Sequence, residues 1–336
     1  MSRNNPKYSI IVPVYNRESE VADLLTSLGS QKCRDFETII VEDGSTQPCS
    51  HIVEKLGPQA NARYISRPNE GRSYARNAGI EDARGEWLVF FDSDCVIPPD
   101  YFENLEKTIG DNHLDCYGGP DDAHASFSPV QKAINFAMTS LLTTGGIRGS
   151  RKSMEKFTPR SFNMGFTREV ADKVKGFREM FSEDIDISTR IKNAGFRIGL
   201  APDAKVWHKR RISFPKFWRQ VHVFGMSRIT LHQLYPGSLK LVHTLPALAV
   251  VIGVLLLLLG IFVSWWWLLP VGVYLLAIFA DALRSTRSLK VALLAVPASI
   301  IQLVGYGTGF LRAWFRNIVM GRGRDLNLEI EMRRGK

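Results

Sequence analysis

The apolar residues of this chain follow two patterns, one before residue 240 and one after it. In the first part short apolar runs alternate with mixed polar segments, whereas Leu, Val, Ala, Ile, Trp and Gly dominate residues 241–313. Short runs bounded by turn residues predict strands, and a long apolar stretch predicts membrane helices. The pattern therefore predicts a water-soluble part followed by a membrane part.

The soluble part alternates predicted strands with predicted helices. The runs at 8–16, 36–46 and 85–94 are rich in β-branched and aromatic residues and end in Asn, Asp or Gly, as buried strands do. Between the first two, residues 19–31 place their apolar side chains on one helical face. This alternation predicts an α/β fold, with a mostly parallel sheet and helices on both faces.

Three membrane segments are predicted in the second part. Residues 243–263 carry no charged residue and are as long as the roughly 20 residues that cross a bilayer. Residues 265–282 open with three tryptophans, which favour the headgroup level, so these two segments predict a helical hairpin. The third segment, 290–313, contains Pro297 and three glycines, and it could span the bilayer, re-enter it or lie against its surface.

The formal charge of +10 is unevenly distributed. Basic residues occupy the loop before the third segment and continue from its end onward, at Arg284, Arg287, Lys290, Arg312, Arg316, Arg322, Arg324, Arg333, Arg334 and Lys336. Basic segments favour the cytoplasmic side, so both the loop and the tail (316–336) should lie there, which three full spans cannot satisfy. The conflict indicates that the third segment does not simply cross. The basic excess favours anionic lipid headgroups as partners, not nucleic acid.

Residues 213–240 connect the two parts. Four apolar side chains recur there at helical spacing, namely Phe214, Phe217, Trp218 and Val221. Lys216 and Arg219 lie beside them, which is typical of a basic amphipathic helix in the headgroup region. We therefore predict an interfacial helix between a soluble domain (1–212) and a membrane domain (241–315).

Cysteine usage and the N-terminus bear on the compartment. The chain has four cysteines, Cys33, Cys49, Cys95 and Cys116, without CxxC spacing, which predicts neither a zinc site nor a disulfide framework. The N-terminus lacks the apolar core of a signal peptide. We expect a multi-pass protein of the inner, cytoplasmic membrane whose soluble domain faces the cytoplasm.

Acidic residues stand at the ends of predicted strands, at Asp43 in "VEDGS" and at Asp92 and Asp94 in "FFDSDC". Ligands of parallel sheets bind outside the carboxyl ends of the strands. Two carboxylates at i and i+2 can both reach one divalent cation, which is often shared with a substrate's phosphates. Alternatively, the pair caps the following helix, or it belongs to the DxD pattern of phosphatases, in which the first Asp is the nucleophile.

Two further segments carry candidate groups. "RPNEGRSYARNAGI" (67–80) places Arg72 and Arg76 at the start of a predicted helix, where they suit a phosphate-rich ligand or form a solvated face. "FSEDIDISTR" (181–190) places acids in a first helical turn. Such acids are commonly helix-dipole partners, but one that faces a metal site could be a general base.

Taken in order, five segments resemble those of inverting family 2 glycosyltransferases of the GT-A fold. The segments are "SIIVPVYNRE", "IIVEDGST", "PNEGRSYARNAGI", "GEWLVFFDSDC" and "FNMGFTREV…GFREMFSEDIDISTRIKNAGFRI". They cover about residues 8–230 in the family's order and spacing. The resemblance implies a Rossmann-like GT-A catalytic domain and a nucleotide-sugar donor that is UDP- or GDP-linked.

The resemblance also implies roles for individual residues. Contacts with the nucleotide sugar fall on Pro13, Tyr15, Asp43, Asn69, Arg72, Arg76, Asp92, Arg219 and Gln220. Asp94 is implied as the direct ligand of Mg²⁺ or Mn²⁺, with Asp92 and His208 as further metal contacts. Asp184 is implied as the catalytic base, with Glu183 beside it facing the acceptor. The matches at His208, Arg219 and Gln220 are loose, and the QxxRW signature of processive synthases is absent from the sequence.

These features predict a membrane-anchored, metal-dependent inverting glycosyltransferase that acts on a membrane lipid, a lipid-linked glycan or another cell-envelope glycan. A polyprenyl-phosphate glycosyl donor synthase is an alternative, and a catalytically inactive membrane scaffold is another. A phosphatase would use Asp92 as its nucleophile, but that motif normally opens its domain, and here two strand-helix units precede it.

Overall fold

A computed structural model of the chain describes residues 5–122, 127–144, 157–208 and 213–322. The chain forms two compact units. We call the first the sheet unit, made of residues 1–124 and 157–209, and the second the helical unit, made of residues 125–156 and 210–336.

All the strands of the described residues lie in the sheet unit. They are β1 (Tyr8–Val14), β2 (Phe36–Asp43), β3 (Ala62–Arg67), β4 (Trp87–Phe91), β5 (Cys95–Val96), β6 (Cys116–Gly118), β7 (Asp121–Asp122), β8 (Asn163–Thr167), β9 (Ile198–Leu200) and β10 (Val206–His208). Seven form one sheet in the order β3-β2-β1-β4-β8-β6-β9, and the other three form a small sheet in the order β5-β10-β7. In the large sheet only β8 runs antiparallel to its neighbours β4 and β6, which confirms the predicted mostly parallel sheet.

Helices cover both faces of the large sheet and make up the helical unit. In chain order they are α1 (Glu18–Gly29), α2 (Ser50–Leu56), α3 (Arg72–Asp82), α4 (Tyr101–Asn112), α5 (Pro129–Thr139), α6 (Leu141–Thr144), α7 (Arg168–Val174), α8 (Glu183–Asn193), α9 (Phe214–Leu234), α10 (Leu241–Phe262), α11 (Leu269–Thr286) and α12 (Leu289–Trp314). Short 3₁₀ turns occur at Pro58–Ala60 and Trp265–Leu268, and a π-helical turn extends α12 through Phe315–Val319.

The central strands are buried on both faces, which explains their continuous apolar runs. Ile10 of β1 lies in one core with Leu24 of α1 and Phe102 of α4. The next residue, Ile11, lies in a second core with Ala75 of α3 and Ile187 of α8. Strands that are buried in this way lose the polar alternation of a half-exposed sheet. The prediction of helices on both faces is confirmed.

In the helical unit α9 packs lengthwise on α12, and glycines allow the close approach. A Cβ at Gly225 would lie 2.0 Å from the carbonyl oxygen of Tyr306, and one at Gly309 would lie 2.0 Å from that of His222. In the first turns of α9 Phe217 and Val221 are buried, whereas Trp218, which was predicted on the same apolar face, is 38% exposed. The interfacial position of this helix stays a prediction. Its second half is largely buried by α12, which differs from a helix that lies freely in a headgroup layer.

The three predicted membrane segments are present as helices that are long and apolar enough to cross a membrane. They correspond to Leu241–Phe262, Trp265–Thr286 and Leu289–Val319. The third is one continuous helix despite Pro297. The glycines that suggested an interruption instead lie at contacts with α9 and α10, where a larger side chain would not fit.

The two units meet in the sequence at residues 209 and 210, near the predicted boundary at 212, but one earlier segment does not lie in the sheet unit. Residues 125–156 belong to the helical unit although they lie between two parts of the sheet unit in the sequence. The physical reason is the apolar face of α5, whose Ala133, Ile134 and Ala137 share a core with α9, α11 and α12. The segment is too short and too polar at its ends to be recognised as part of a membrane domain from hydropathy.

We predict that Gly309→Ala lowers the stability of the helical unit. The new Cβ would collide with the backbone of α9, which cannot move independently, and overpacking of this kind costs about 1–3 kcal/mol. Gly253→Ala in α10 is the matched control, because a Cβ there meets no atom within 4 Å. Thermal unfolding of the purified protein in detergent measures the difference, and equal melting temperatures for both variants would contradict the predicted contact.

Candidate active site

The ends of three parallel strands lie level at one edge of the large sheet. Pro13 is in register with Val41, and Ile11 is in register with Phe90. The residues that follow β1, β2 and β4 therefore emerge side by side. This is the edge at which ligands of parallel sheets bind. It carries Pro13, Tyr15, Asp43, Asp92 and Asp94, all of which the sequence singled out.

Hydrogen bonds to Asn16 connect the turn after β1 with the turn after β2. This residue has a left-handed backbone (φ 52°), and its side-chain oxygen accepts hydrogen bonds from the backbone N–H groups of Thr46 (2.9 Å) and Gln47 (3.3 Å). Pro13 is half-buried beside this turn, and Tyr15 is 48% exposed. An exposed aromatic ring next to a fixed turn is available for stacking on a planar ligand group.

Asp43 holds the segment that enters α3. Its carboxylate is buried and accepts hydrogen bonds from the backbone N–H groups of Glu70 (2.9 Å) and Gly71 (3.1 Å). The neighbouring Gly44 has a φ of +64°, and a Cβ there would lie 2.5 Å from the backbone nitrogen of Asn69. The strand end and the segment are thus in direct contact, which places the exposed Asn69 at this edge.

A buried network of ion pairs connects the end of β4 with the start of α8. Arg76, which is fully buried, donates to Asp92 Oδ1 at 2.7 Å and to Glu183 Oε1 at 2.9 Å. Arg72 donates from Nη2 to Glu183 Oε2 at 3.0 Å, and its Nε lies at ion-pair distance, 2.8 Å, from Oε1 of the same carboxylate. Glu183 is also buried, so its carboxylate is oriented by two guanidinium groups instead of by solvent.

The two arginines differ in what they can offer a ligand. Arg76 has no exposed surface, and its guanidinium lies over the Phe177 ring. Arg72 is partly exposed at the edge. Burial alone would lower the pKa of Arg72, but the carboxylates of Glu183 and Asp92 outweigh burial and raise its pKa above the ordinary value. Arg72 can therefore present positive charge to an anionic ligand, while Arg76 acts within the protein.

Asp92 and Asp94 form a pair of hard oxygen donors after β4. Both side chains are only partly exposed, and Arg17 Nη1 lies 3.7 Å from Asp94 Oδ2. Among the described residues no group of three or more His, Cys, Asp or Glu side chains is arranged to hold a metal ion. Mg²⁺ commonly binds through one or two carboxylates and completes its shell with water and substrate phosphates. The pair fits a cation of that kind and does not fit an all-protein metal cage.

His208 ends β10, and its backbone pairs with Cys95, the residue after Asp94. The backbone of His208 therefore lies next to the Asp92–Asp94 segment. The side chain of His208 lies outside the described part of the structure. The thiol of Cys95 is not a candidate nucleophile. Burial, with a further contribution from the nearby Asp94 and Asp92 carboxylates, raises the pKa of Cys95 well above its ordinary value.

Asp184 lies in the first turn of α8, next to the buried Glu183. Its side chain is 16% exposed, and Arg160 Nη1 lies 3.4 Å from Asp184 Oδ2. Arg160 and Ser161 reach this edge because β8 runs antiparallel to β4, so that the residues before β8 arrive where β4 ends. Neither was recognised in the sequence, where Arg160 is one of several basic residues of a glycine-rich loop. Asp184 thus combines a fixed position with access to solvent.

Arg219 and Gln220 belong to α9 and therefore to the helical unit. Arg219 is exposed, and the side-chain oxygen of Gln220 is buried without a hydrogen-bond partner among the described residues. Their predicted contacts with a nucleotide sugar stay a prediction.

Comparisons with known proteins agree with this geometry. The model of the glycosyl transferase family 2 matches residues 9–175, which include every strand-end acid named above. The chain is 42% identical over 107 residues to the candidate glycosyltransferase EpsH of Bacillus subtilis (strain 168), covering 32% of this chain and 31% of EpsH. It thus spans about a third of that relative's length.

A second relative and a solved structure match over most of their length. The succinoglycan biosynthesis protein ExoA of Rhizobium meliloti (strain 1021) is 25% identical over 315 residues, which cover 90% of this chain and 93% of ExoA. The mannosyltransferase PcManGT of Pyrobaculum calidifontis, solved with GDP-Man and Mn²⁺, matches with a TM-score of 0.57 and 18% identity, covering 95% of this chain and 88% of PcManGT. At that identity the structural match establishes the fold alone.

We predict that Glu183→Gln lowers the free energy of unfolding by about 3 kcal/mol, because it leaves two guanidinium groups short of a buried counter-charge. Glu103→Gln is the matched control, since Glu103 pairs with Lys32 at the surface, where such pairs contribute about 0–1 kcal/mol. Thermal or chemical unfolding of both variants measures the difference. A small and equal effect would contradict the structural importance of the network.

Proposed function

Because its sequence places the chain in glycosyl transferase family 2, we propose that this protein transfers a sugar from a nucleotide-sugar donor to an acceptor at the membrane, with inversion at the anomeric carbon. One observation carries the proposal. Asp43, the Asp92–Asp94 pair and Asp184 lie in distant parts of the sequence and arrive at one edge of the sheet. A donor, a cation and a base are then within one site.

The donor side of the site is the region around Tyr15, Asp43 and Asn69. Tyr15 offers a ring for stacking on the nucleobase, and the Asp43 carboxylate is held in place by backbone N–H groups. Arg72 offers its charge to the diphosphate. PcManGT, which was solved with GDP-Man, supports a nucleotide sugar as the class of donor, with UDP-linked and GDP-linked sugars as the candidates.

Asp94 and Asp92 are the residues that would hold Mg²⁺ or Mn²⁺, with His208 as a further candidate. When bound, such a cation neutralises the charge that builds up on the departing diphosphate. Arg76 fixes one oxygen of Asp92, so the orientation of that carboxylate is set before any ligand arrives. PcManGT was solved with Mn²⁺, which supports this choice of metal.

Asp184 is the proposed general base. It would remove the proton from an acceptor hydroxyl while that oxygen attacks the anomeric carbon, and the bond from this carbon to the diphosphate oxygen breaks on the opposite face. Arg160 limits the movement of the Asp184 carboxylate. Glu183, which the sequence suggested as a residue facing the acceptor, is better placed to position α8, because both arginines hold it inside the protein.

The acceptor is proposed to be a membrane lipid or a lipid-linked or cell-envelope glycan. Three helices of membrane-spanning length in the same chain support an acceptor that resides in the bilayer. The similarity to ExoA, a succinoglycan biosynthesis protein, over 90% of the chain supports a role in glycan assembly. A polyprenyl-phosphate glycosyl donor synthase would use the same site with a lipid phosphate as its acceptor.

We predict that Asp184→Asn lowers kcat by about 10²- to 10⁴-fold, the usual contribution of a general base, and leaves donor binding intact. Turnover of a panel of nucleotide sugars in isolated membranes gives kcat, and the shift in melting temperature on adding the donor gives binding. A variant that still transfers sugar at the normal rate would exclude Asp184 as the base.

We predict that Asp94→Ala abolishes both the metal-dependent binding of the nucleotide sugar and its turnover, because the remaining carboxylate cannot hold the cation alone. Asp111→Ala, which removes an exposed acid of α4, controls for the change in charge. If both variants keep metal-dependent turnover, the assigned site is wrong. If neither variant nor the unaltered protein turns over any donor, the proposed function becomes that of a catalytically inactive membrane scaffold. A labelled product that is a sugar linked to a lipid phosphate would identify a polyprenyl-phosphate glycosyl donor synthase.

A further inference from the structure

We infer that α12 does not cross the bilayer but lies along its cytoplasmic surface, at the base of a hairpin formed by α10 and α11. In this arrangement the apolar stripe of α12 faces the acyl chains, and the basic residues at its two ends contact anionic lipid headgroups. The inference concerns the helical unit alone and does not depend on the catalytic activity.

Within the described part of the chain, the buried residues of the hairpin lie near its open end, and its contacts extend along α11 to Tyr274, whose hydroxyl donates to the carbonyl oxygen of Leu142 in α6 at 2.7 Å. The buried residues of α10 are His243 and Ala247, close to its start. Those of α11 are Ile278 and Ala282, close to its end. Among the described residues, the parts of both helices near the connecting turn Trp265–Leu268 are largely exposed. A long apolar surface of this kind is suited to lipid, and three tryptophans at the turn suit the far headgroup layer.

The two helices of the hairpin contact α12 at different places. Ile278 and Ala282 of α11 lie in one core with residues 291–298 of α12. Ala247 of α10 lies in another core with Phe310 and Ala313. A Cβ at Gly307 would also lie 2.6 Å from the carbonyl oxygen of Pro246 in α10. The nearest residues of the two regions, 298 and 307, are separated by roughly 14 Å along the axis of α12, at 1.5 Å per residue.

This pattern is incompatible with a third span that runs back beside α11. About 20 residues of helix cross the apolar layer, so the end of such a span would reach the level of the tryptophan turn. Instead, residues 307–313 meet the first turns of α10, which is the opposite end of the hairpin. The start of α12 meets the last turns of α11 at that same end. Both ends of α12 therefore lie on one side of the bilayer.

The exposed surface of α12 is consistent with a helix that lies on a membrane. Leu289, Leu293, Ile300 and Trp314 are exposed, and their spacing places them on one face. Most of the remaining surface is buried against α5, α9 and α11, and Gly307, which lies on the same face as these four residues, contacts α10. One apolar face directed to lipid and basic residues beside it are typical of an interfacial helix.

The charges of the helical unit agree with this placement. Arg284, Arg287 and Lys290 stand at the start of α12, and Arg312 and Arg316 stand at its end. Between residues 213 and 322 the sequence contains one acid, in α11. With α12 at the surface, both basic groups lie on the cytoplasmic side, and the conflict that three full spans created disappears.

Labelling of single cysteines in membrane vesicles tests the topology. In a Cys33→Ser background the other native cysteines are buried, and burial raises the pKa of Cys49 to about 12, so they react slowly. Ser285→Cys and Met320→Cys report the two ends of α12, and Val263→Cys reports the tip of the hairpin; all three positions are exposed.

A membrane-impermeant maleimide should label Ser285→Cys and Met320→Cys in inside-out vesicles and Val263→Cys in right-side-out vesicles. Labelling of Met320→Cys together with Val263→Cys, on the side opposite to Ser285→Cys, would show that α12 crosses and would overturn the inference. Green fluorescent protein fused after residue 336 of the full chain gives an independent measurement. It should fluoresce, because it folds on the cytoplasmic side, and loss of fluorescence at normal expression would also overturn the inference.

Nanodiscs test the contact with anionic headgroups. Full-length protein in discs of phosphatidylcholine and phosphatidylglycerol should melt at a higher temperature than in discs of phosphatidylcholine alone. The double variant Arg312→Gln/Arg316→Gln should lose part of this shift. Arg197→Gln, which removes an exposed cation of the sheet unit, should keep it. A shift that both variants retain in full would exclude these two arginines as a headgroup contact.

Discussion

The buried guanidinium of Arg76 is the interaction on which the candidate site depends. It has no exposed surface and contacts carboxylates from two distant elements, Asp92 after β4 and Glu183 at the start of α8. A buried charge is tolerated only when hydrogen-bonded counter-charges surround it, so the position of one carboxylate constrains the other. The distance between the proposed cation pair and the proposed base is therefore set inside the protein, before a donor or an acceptor binds.

The direction of one strand completes the site. Parallel strands bring Tyr15, Asp43 and Asp92 to the same edge, but they bring no positively charged side chain to Asp184. β8 runs antiparallel to β4, so the residues before it return to that edge, and Arg160 comes within ion-pair distance of Asp184. A wholly parallel sheet would have placed this segment at the opposite edge.

The helical unit is organised around α12, and its glycines explain how. At Gly309 and Gly225 the backbones of α9 and α12 approach so closely that no side chain fits between them. Helices that meet in this way gain many close dispersion contacts between their backbones. The remaining faces of α10 and α11 are left to lipid, which accounts for their exposed apolar surface.

The sequence by itself determined what depends on neighbouring residues: the strand and helix alternation, the three apolar helices, and the acids at the strand ends, since periodicity and strand ends are local properties. Only the tertiary structure decided which groups meet. Glu183 pairs with Arg76, which lies 107 residues away in the sequence. Residues 125–156 join the helical unit through α5. α12 contacts the start of α10 and the end of α11, which together form the base of the hairpin. Such contacts depend on packing between distant segments, and the local sequence pattern of one segment does not identify the segment that it packs against.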